Sequence, residues 1–136
     1  MKLSLESLTK SIDVLRRSLN ATEAHKDSFD EDMQDTLRSG IIQNFEVAYE
    51  QCWKMMKRWL EENVGIDDGL TKRELFRLAA EHQLILDVDN WMEYHEARNK
   101  TSHTYDEGTA EDVYEVAKAF LPSAEKFLNN IASHND

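Results

Sequence analysis

The sequence predicts an all-α fold, a five-helix antiparallel bundle of the up-and-down kind, in a single domain over residues 1–136. Three observations predict it. Only 4 Gly and 1 Pro occur, too few for the many turns of an all-β protein. Apolar residues recur at spacings of three and four over long windows rich in Leu, Ala, Glu and Lys. No linker, repeat or low-complexity stretch separates these windows, so neighbouring helices are joined by short loops.

The first helix is expected over about Leu3 to Thr22, where Leu5, Leu8, Ile12, Leu15 and Leu19 make one apolar stripe. The acid-rich "HKDSFDEDMQD" follows. Its carboxylates suit solvent and the positive end of the next helix. The second helix, about Met33 to Asn63, is the longest. Ile41, Phe45, Ala48, Cys52, Met55, Met56, Trp59 and Leu60 form its apolar face, which Tyr49 and Trp53 widen. So broad a face belongs to a central helix, or to one that also meets a second subunit. "ENVGIDDGL" ends it with two glycines.

The third helix opens at Thr71, with Glu74 at capping-box spacing, turns Leu75, Leu78 and Ala79 inward, and ends near His82. Asp89 is the expected N-cap of a fourth helix running through Trp91, Tyr94 and Arg98. The fifth runs from about Thr109 to Ala132, with Pro122 expected to kink or interrupt it.

Charge and composition exclude several functions. The formal net charge is -11, the wrong sign for a non-specific nucleic-acid binder. From Ile85 to Asp112 eight acids (Asp87, Asp89, Glu93, Glu96, Asp106, Glu107, Glu111, Asp112) face only Arg98 and Lys100, so RNA acting there meets a repulsive field. Cys52 is the only cysteine, which fits a reducing compartment. The N-terminus lacks the apolar core of a signal peptide and no run of apolar residues is long enough to span a membrane, so a cytoplasmic protein is expected.

Asp87-Val88-Asp89 has the D-x-D form of a metal site for nucleotidyl transfer, but no Gly-Ser phosphate loop precedes it, and a helix cap explains it better. The chain is therefore not expected to be a nucleotidyltransferase itself, and no metal or other cofactor is expected. Lys54, Lys57 and Arg58 share one helix face, read as solvated or as a contact for phosphate or an acidic partner.

The stretch "RNKTSHTY" carries the chemistry. Arg98 and His103 are five apart, about 140° around a regular helix, and converge only if the helix ends near Ser102 or if two copies meet across a dimer axis. RNA cleavage without metal uses the 2′-OH as nucleophile. It needs a group titrating near neutrality, here His103, and a fixed positive charge on the phosphate, here Arg98. Tyr105 can hold a phosphate oxygen or accept a modification. Asn99 and Ser102, polar residues inside the motif, are candidate binding residues. A capped helix end with a cation in its last turn explains the same residues.

Read as R-x4-H-x-Y, the motif resembles the signature of HEPN domains, small all-helical proteins. "NFEVAYEQCWKMMKRWLEE" resembles the long second helix of their nucleotidyltransferase substrate-binding branch. The stretch from "TKRELFRLAAEHQ" through "SHTYDE" to "SAEKFL" resembles that branch through its third to fifth helices. The resemblance implies a homodimer with the motif near the dimer cleft, and a separate minimal nucleotidyltransferase as partner. In toxin–antitoxin members the HEPN chain is a metal-independent RNase. The nucleotidyltransferase is its antitoxin and attaches AMP to the motif tyrosine. By position, Arg98 and His103 are then the catalytic residues and Tyr105 the AMP acceptor. The alternative is a non-catalytic subunit that binds nucleotide or substrate for its nucleotidyltransferase.

Overall fold

A computed structural model of the chain describes residues 2–135. It is all-helical: α1 (Glu6–Ala24), α2 (Glu31–Asn63), α3 (Lys72–Glu81), α4 (Val88–Asn99) and α5 (Glu107–Ser133), with one 3-10 turn, Thr101–His103, between α4 and α5. The cross-links between helices give their directions. Arg16 meets Glu125 at 2.8 Å while Leu3 is bound at both its amide and its carbonyl by the Asn135 side chain, so α1 and α5 run antiparallel. Tyr49 meets His95 and Glu46 meets Thr101, so α2 and α4 are antiparallel. Trp59 reaches the His134 carbonyl and Arg38 pairs with Glu107, so α2 and α5 run parallel, with α1 and α4 against them.

The helices start where their caps dictate. Asp30 accepts from the Met33 amide and begins α2 slightly earlier than its apolar pattern suggests, with Glu31 and Asp32 in the first turn. Thr71 and Glu74 close the expected capping box on α3. Gln83, at φ 63°, ends α3 with a Schellman turn: its amide bonds Ala80 and that of Leu84 bonds Ala79. The cap of α4 is Asp87, whose carboxylate accepts from Asn90, and not Asp89. Asp89 sits in the first turn and pairs with Arg73 at 3.6 Å. Asp106 likewise caps α5 ahead of Thr109. α1 begins at Glu6 rather than Leu3. Leu3 is buried all the same, held by Asn135.

Pro122 does not interrupt α5, which is continuous to Ser133. Pro122 and Lys118, whose carbonyl loses its amide partner, are both exposed, so the missing bond falls on the solvent side of the helix.

The eight apolar residues expected on the inner face of α2 are buried, Met56 completely and Trp59 to 7% exposure, as is Tyr49, while Trp53 is only partly buried. Apart from Trp53 that face needs no second subunit: α2 is the central helix, covered by α1, α3, α4 and α5 of the same chain. Phe120 of α5 closes the core beneath the motif, edge-on to Phe45, Tyr94 and Trp91 with ring centroids 5.2, 5.2 and 5.7 Å away. This aromatic layer fixes α4 against α2 and so fixes the side chains α4 presents.

Candidate active site at the end of α4

α4 stops at Asn99. Its C-cap, Lys100, bonds back to Glu96 and Ala97, and the chain tightens into the 3-10 turn, with the His103 amide on the Lys100 carbonyl. The regular helix that would turn Arg98 and His103 apart therefore ends between them. A second turn follows, from the Asp106 amide to the His103 carbonyl, and α5 begins. The motif is a sharp corner between two helices.

Arg98 points at α2. Its Nε donates to Glu50 at 2.9 Å and its NH1 lies 3.2 Å from Glu46. Glu46 and Glu50 are one turn apart, so both carboxylates reach one guanidinium. Glu46 also accepts from the Thr101 hydroxyl at 3.0 Å, and that hydroxyl lies 2.8 Å from the Arg98 carbonyl. The two glutamates thus hold both the arginine and the first residue of the turn. All three charged side chains are about one-third exposed, so the guanidinium is fixed without being sealed from solvent.

His103 is exposed on the outer side of the corner, with its ring edge-on to Tyr105 at 6.1 Å between centroids. Tyr105 is 87% exposed, among the largest exposures of any apolar or aromatic side chain described. No hydrogen bond joins Arg98 to His103 among the described residues. Asn99 is exposed, with its Nδ2 3.4 Å from His95 Nε2. Ser102 is exposed, and no side-chain hydrogen bond is formed by it among the described residues.

His95 is the functional-looking group that spacing alone missed. It lies one turn before Arg98 and Asn99 on α4, and its Nδ1 is 2.9 Å from the Tyr49 hydroxyl. Burial, then Glu50, drives the Tyr49 phenol's ionisation upward, so it stays protonated and can donate to that nitrogen. His95 itself is pushed below the ordinary histidine range, by burial first and then by the Lys72 charge, against the pull of Glu50 and Glu96. Glu46 and Glu50 were also missed. A carboxylate on a helix announces itself only once its partner across the interface is known.

Of the eight acids counted along the sequence, Glu93, Glu96 and Asp112 lie away from Arg98. Positions 93, 96, 97 and 100 share one face of α4, and 95, 98 and 99 lie on the opposite one. Glu93, Glu96, Asp112 and Glu115 line a groove of about 400 Å³ between α4 and α5, together with Lys100 and an apolar floor of Ala97, Val113 and Val116. Asp87 and Asp106 cap helices, and Glu107 pairs with Arg38 at 2.9 Å. The Arg98 side carries Lys54 and Lys72 as well as the two glutamates. Among the described residues no group of three or more His, Cys, Asp or Glu side chains assembles that could hold a metal ion. The carboxylate of Asp87 in the D-x-D is committed to its cap.

Residues 3–133 match the family described as nucleotidyltransferase substrate binding protein like. The chain belongs to that family. It is 39% identical over 106 residues to a protein of Haemophilus influenzae named probable ribonuclease HepT, covering 76% of this chain and 73% of that one. A solved Haemophilus influenzae structure, described as revealing the fold of a substrate binding domain of a nucleotidyltransferase, superposes with a TM-score of 0.89 at 33% identity, over 95% of this chain and 99% of the other. A Thermus thermophilus structure superposes with a TM-score of 0.72 at 26% identity, over 90% and 96%. Family and fold are thus those the motif pointed to, and no helix among the described residues is long and apolar enough to cross a membrane.

The setting of His95 has a consequence for stability. Its folded-state pKa is depressed, so the fold favours the neutral ring. Stability is complete above the ordinary histidine value, about 6.5, and is lost as pH falls from there toward the folded value. Urea titrations from pH 7.5 to 5 should show wild type losing more stability than His95→Gln over that range. Parallel curves would mean that His95 is not held neutral.

Proposed function

We propose that this chain is the partner subunit of a separate minimal nucleotidyltransferase in a toxin–antitoxin-like pair. In this reading Arg98 and His103 form a metal-independent RNase site, and Tyr105 receives AMP from the partner. The observation that carries the proposal is the corner itself. An oriented guanidinium, a solvent-facing imidazole and an almost fully exposed phenol lie within eight residues, at the end of a helix locked to α2. The likeness to probable ribonuclease HepT supports the cleavage half of the reading, and the family description supports the partner half.

The chemistry follows from the groups present. The 2′-oxygen attacks phosphorus, its proton passes to a neutral imidazole, and the bond from phosphorus to the 5′-oxygen breaks. That oxygen takes a proton from an imidazolium, leaving a 2′,3′-cyclic phosphate. Arg98 stabilises the charge on the phosphate oxygens. A two-fold homodimer supplies both imidazoles from two copies of His103 and brings Arg98 of one copy to the phosphate held by the other. Asn99 and Ser102 stand ready to bind the RNA backbone. RNA and ATP as reactants fit a cytoplasmic setting.

AMP on Tyr105 would silence the site in two ways. It occupies the space beside the His103 ring, which Tyr105 already touches edge-on. It also adds a phosphodiester charge next to Asp106 and Glu107, so incoming RNA is repelled.

One observation favours a second reading. Glu46 and Glu50 already neutralise Arg98, as they would if the arginine only locked α4 to α2. The chain would then be a non-catalytic subunit that binds nucleotide or substrate for its nucleotidyltransferase. Kinetics separate the two. Arg98→Ala and His103→Ala should each lower RNA cleavage by roughly 10²-fold or more while circular dichroism stays unchanged, and EDTA should leave wild type active. Activity that dies with chelation, or that survives both substitutions, excludes the RNase site.

Modification is tested separately. With the partner and ATP, intact-mass measurement should show AMP increments on wild type and none on Tyr105→Phe. Equal labelling of the phenylalanine variant would move the acceptor elsewhere.

A further inference from the structure

Beside the motif, α2 carries a stripe of which the proposed chemistry uses only the two glutamates at Arg98. Glu46, Glu50, Trp53 and Lys57 recur at spacings of four, three and four and so share one face, about 16 Å long. The stripe begins at Arg98 and ends at the start of α3. Trp53 is the half-exposed tryptophan of the chain, whereas Trp59 and Trp91 are buried. Its indole N–H donates to Glu50 at 3.1 Å, and the other oxygen of that carboxylate accepts from Arg98. The ring is thus tied to the arginine through one shared side chain.

Across the ring lies a cluster of ammonium groups. Lys72 Nζ sits 3.6 Å from the centroid of Trp53, and Lys54 Nζ lies 5.8 Å from it. Lys57 and Lys54 lie close enough to repel Lys72. After burial, which is the larger effect, their charges hold Lys72 below the ordinary lysine range, against the pull of Glu50. Among the described residues neither Lys57 nor Lys72 has a carboxylate within 4.0 Å, and Lys54 has only Glu50, at 3.8 Å. In a chain of net charge -11 three ammonium groups gather here around one carboxylate, Glu50, which Arg98 and the indole N–H already engage. A flat aromatic face amid an excess of cations is the surface that single-stranded nucleic acid uses: the base stacks and the cations take the phosphates.

We propose that Trp53 with Lys54, Lys57 and Lys72 is a nucleotide subsite that holds the RNA strand on one side of the phosphate at Arg98, with one base stacked on the Trp53 indole. This rests on RNA being the substrate. On binding, the Lys72 ammonium leaves the indole face, the base takes its place, and Lys72 turns to the phosphate with Lys57. The subsite resolves the conflict between an acidic chain and an anionic substrate. Glu93, Glu96, Asp112 and Glu115 line the groove between α4 and α5, while the strand follows the opposite side of α4.

The test uses the full chain and a single-stranded oligonucleotide with 2′-O-methyl riboses, which lacks the free 2′-OH and cannot be cleaved. Binding should quench tryptophan fluorescence in wild type and not in Trp53→Phe, whose phenyl ring still stacks and should keep affinity within a few-fold. Trp53→Ala should bind about five- to a hundredfold more weakly. Lys57→Ala and Lys72→Ala should each reduce the slope of log affinity against log salt by about 0.7. Equal affinity for an oligonucleotide abasic throughout, or an unchanged affinity in a folded Trp53→Ala protein, overturns the subsite. Quenching by free AMP at the affinity of the oligonucleotide would make the site a mononucleotide pocket and overturn it too. The outcomes stay separable from the RNase reading. Cleavage without quenching removes only the subsite, whereas quenching without cleavage keeps the subsite and removes the RNase.

Discussion

One guanidinium between two carboxylates sets the geometry of the whole face. Glu46 and Glu50 rise from the central helix one turn apart and meet Arg98 at 3.2 and 2.9 Å. Glu46 goes on to Thr101 and Glu50 to Trp53, so the same pair fixes the corner after α4 and the aromatic beside it. Each pair is only partly buried and contributes modestly to stability by itself. Its value lies in direction. Arg98 is long and flexible, and an electrostatic clamp that costs no reorganisation at the moment of reaction needs it already oriented.

The helices themselves were readable because burial is periodic. The inner face of α2 was legible residue by residue, since each apolar position repeats the 3.6-residue turn and ends in the core. The capping box of α3 was legible because Thr71 and Glu74 act locally. Asp87 and Asp106 were less legible: Asp89, two residues on, offers the same carboxylate as Asp87, and the apolar pattern of α5 begins only near Thr109. The breadth of the α2 face left open whether the helix is central or also meets a second subunit, because one helix cannot reveal how many neighbours cover it. Four do here.

The site was legible only in its contiguous part. R-x4-H-x-Y is a run in sequence, and the structure keeps it as a run, bent at Lys100 and Asp106. Its partners lie elsewhere in the chain. Glu46, Glu50, Trp53 and Lys72 come from α2 and α3, and each alone resembles any surface residue of a charged helix. Counting acids along the chain also misled. Sequence proximity placed eight of them beside the motif, whereas the helical turn sends Glu93, Glu96 and Asp112 to the far side of α4. Charge in a helical protein is read by face rather than by window.

The central claim is that the corner at Arg98, His103 and Tyr105 cleaves RNA through the RNA's own 2′-oxygen. Analysis of fragment ends is the most direct test, using purified chain, single-stranded RNA and EDTA. The account predicts 5′-hydroxyl ends and 2′,3′-cyclic phosphates, formed without any metal. Fragments bearing 5′-phosphates, or RNA left intact by a folded protein, would contradict it.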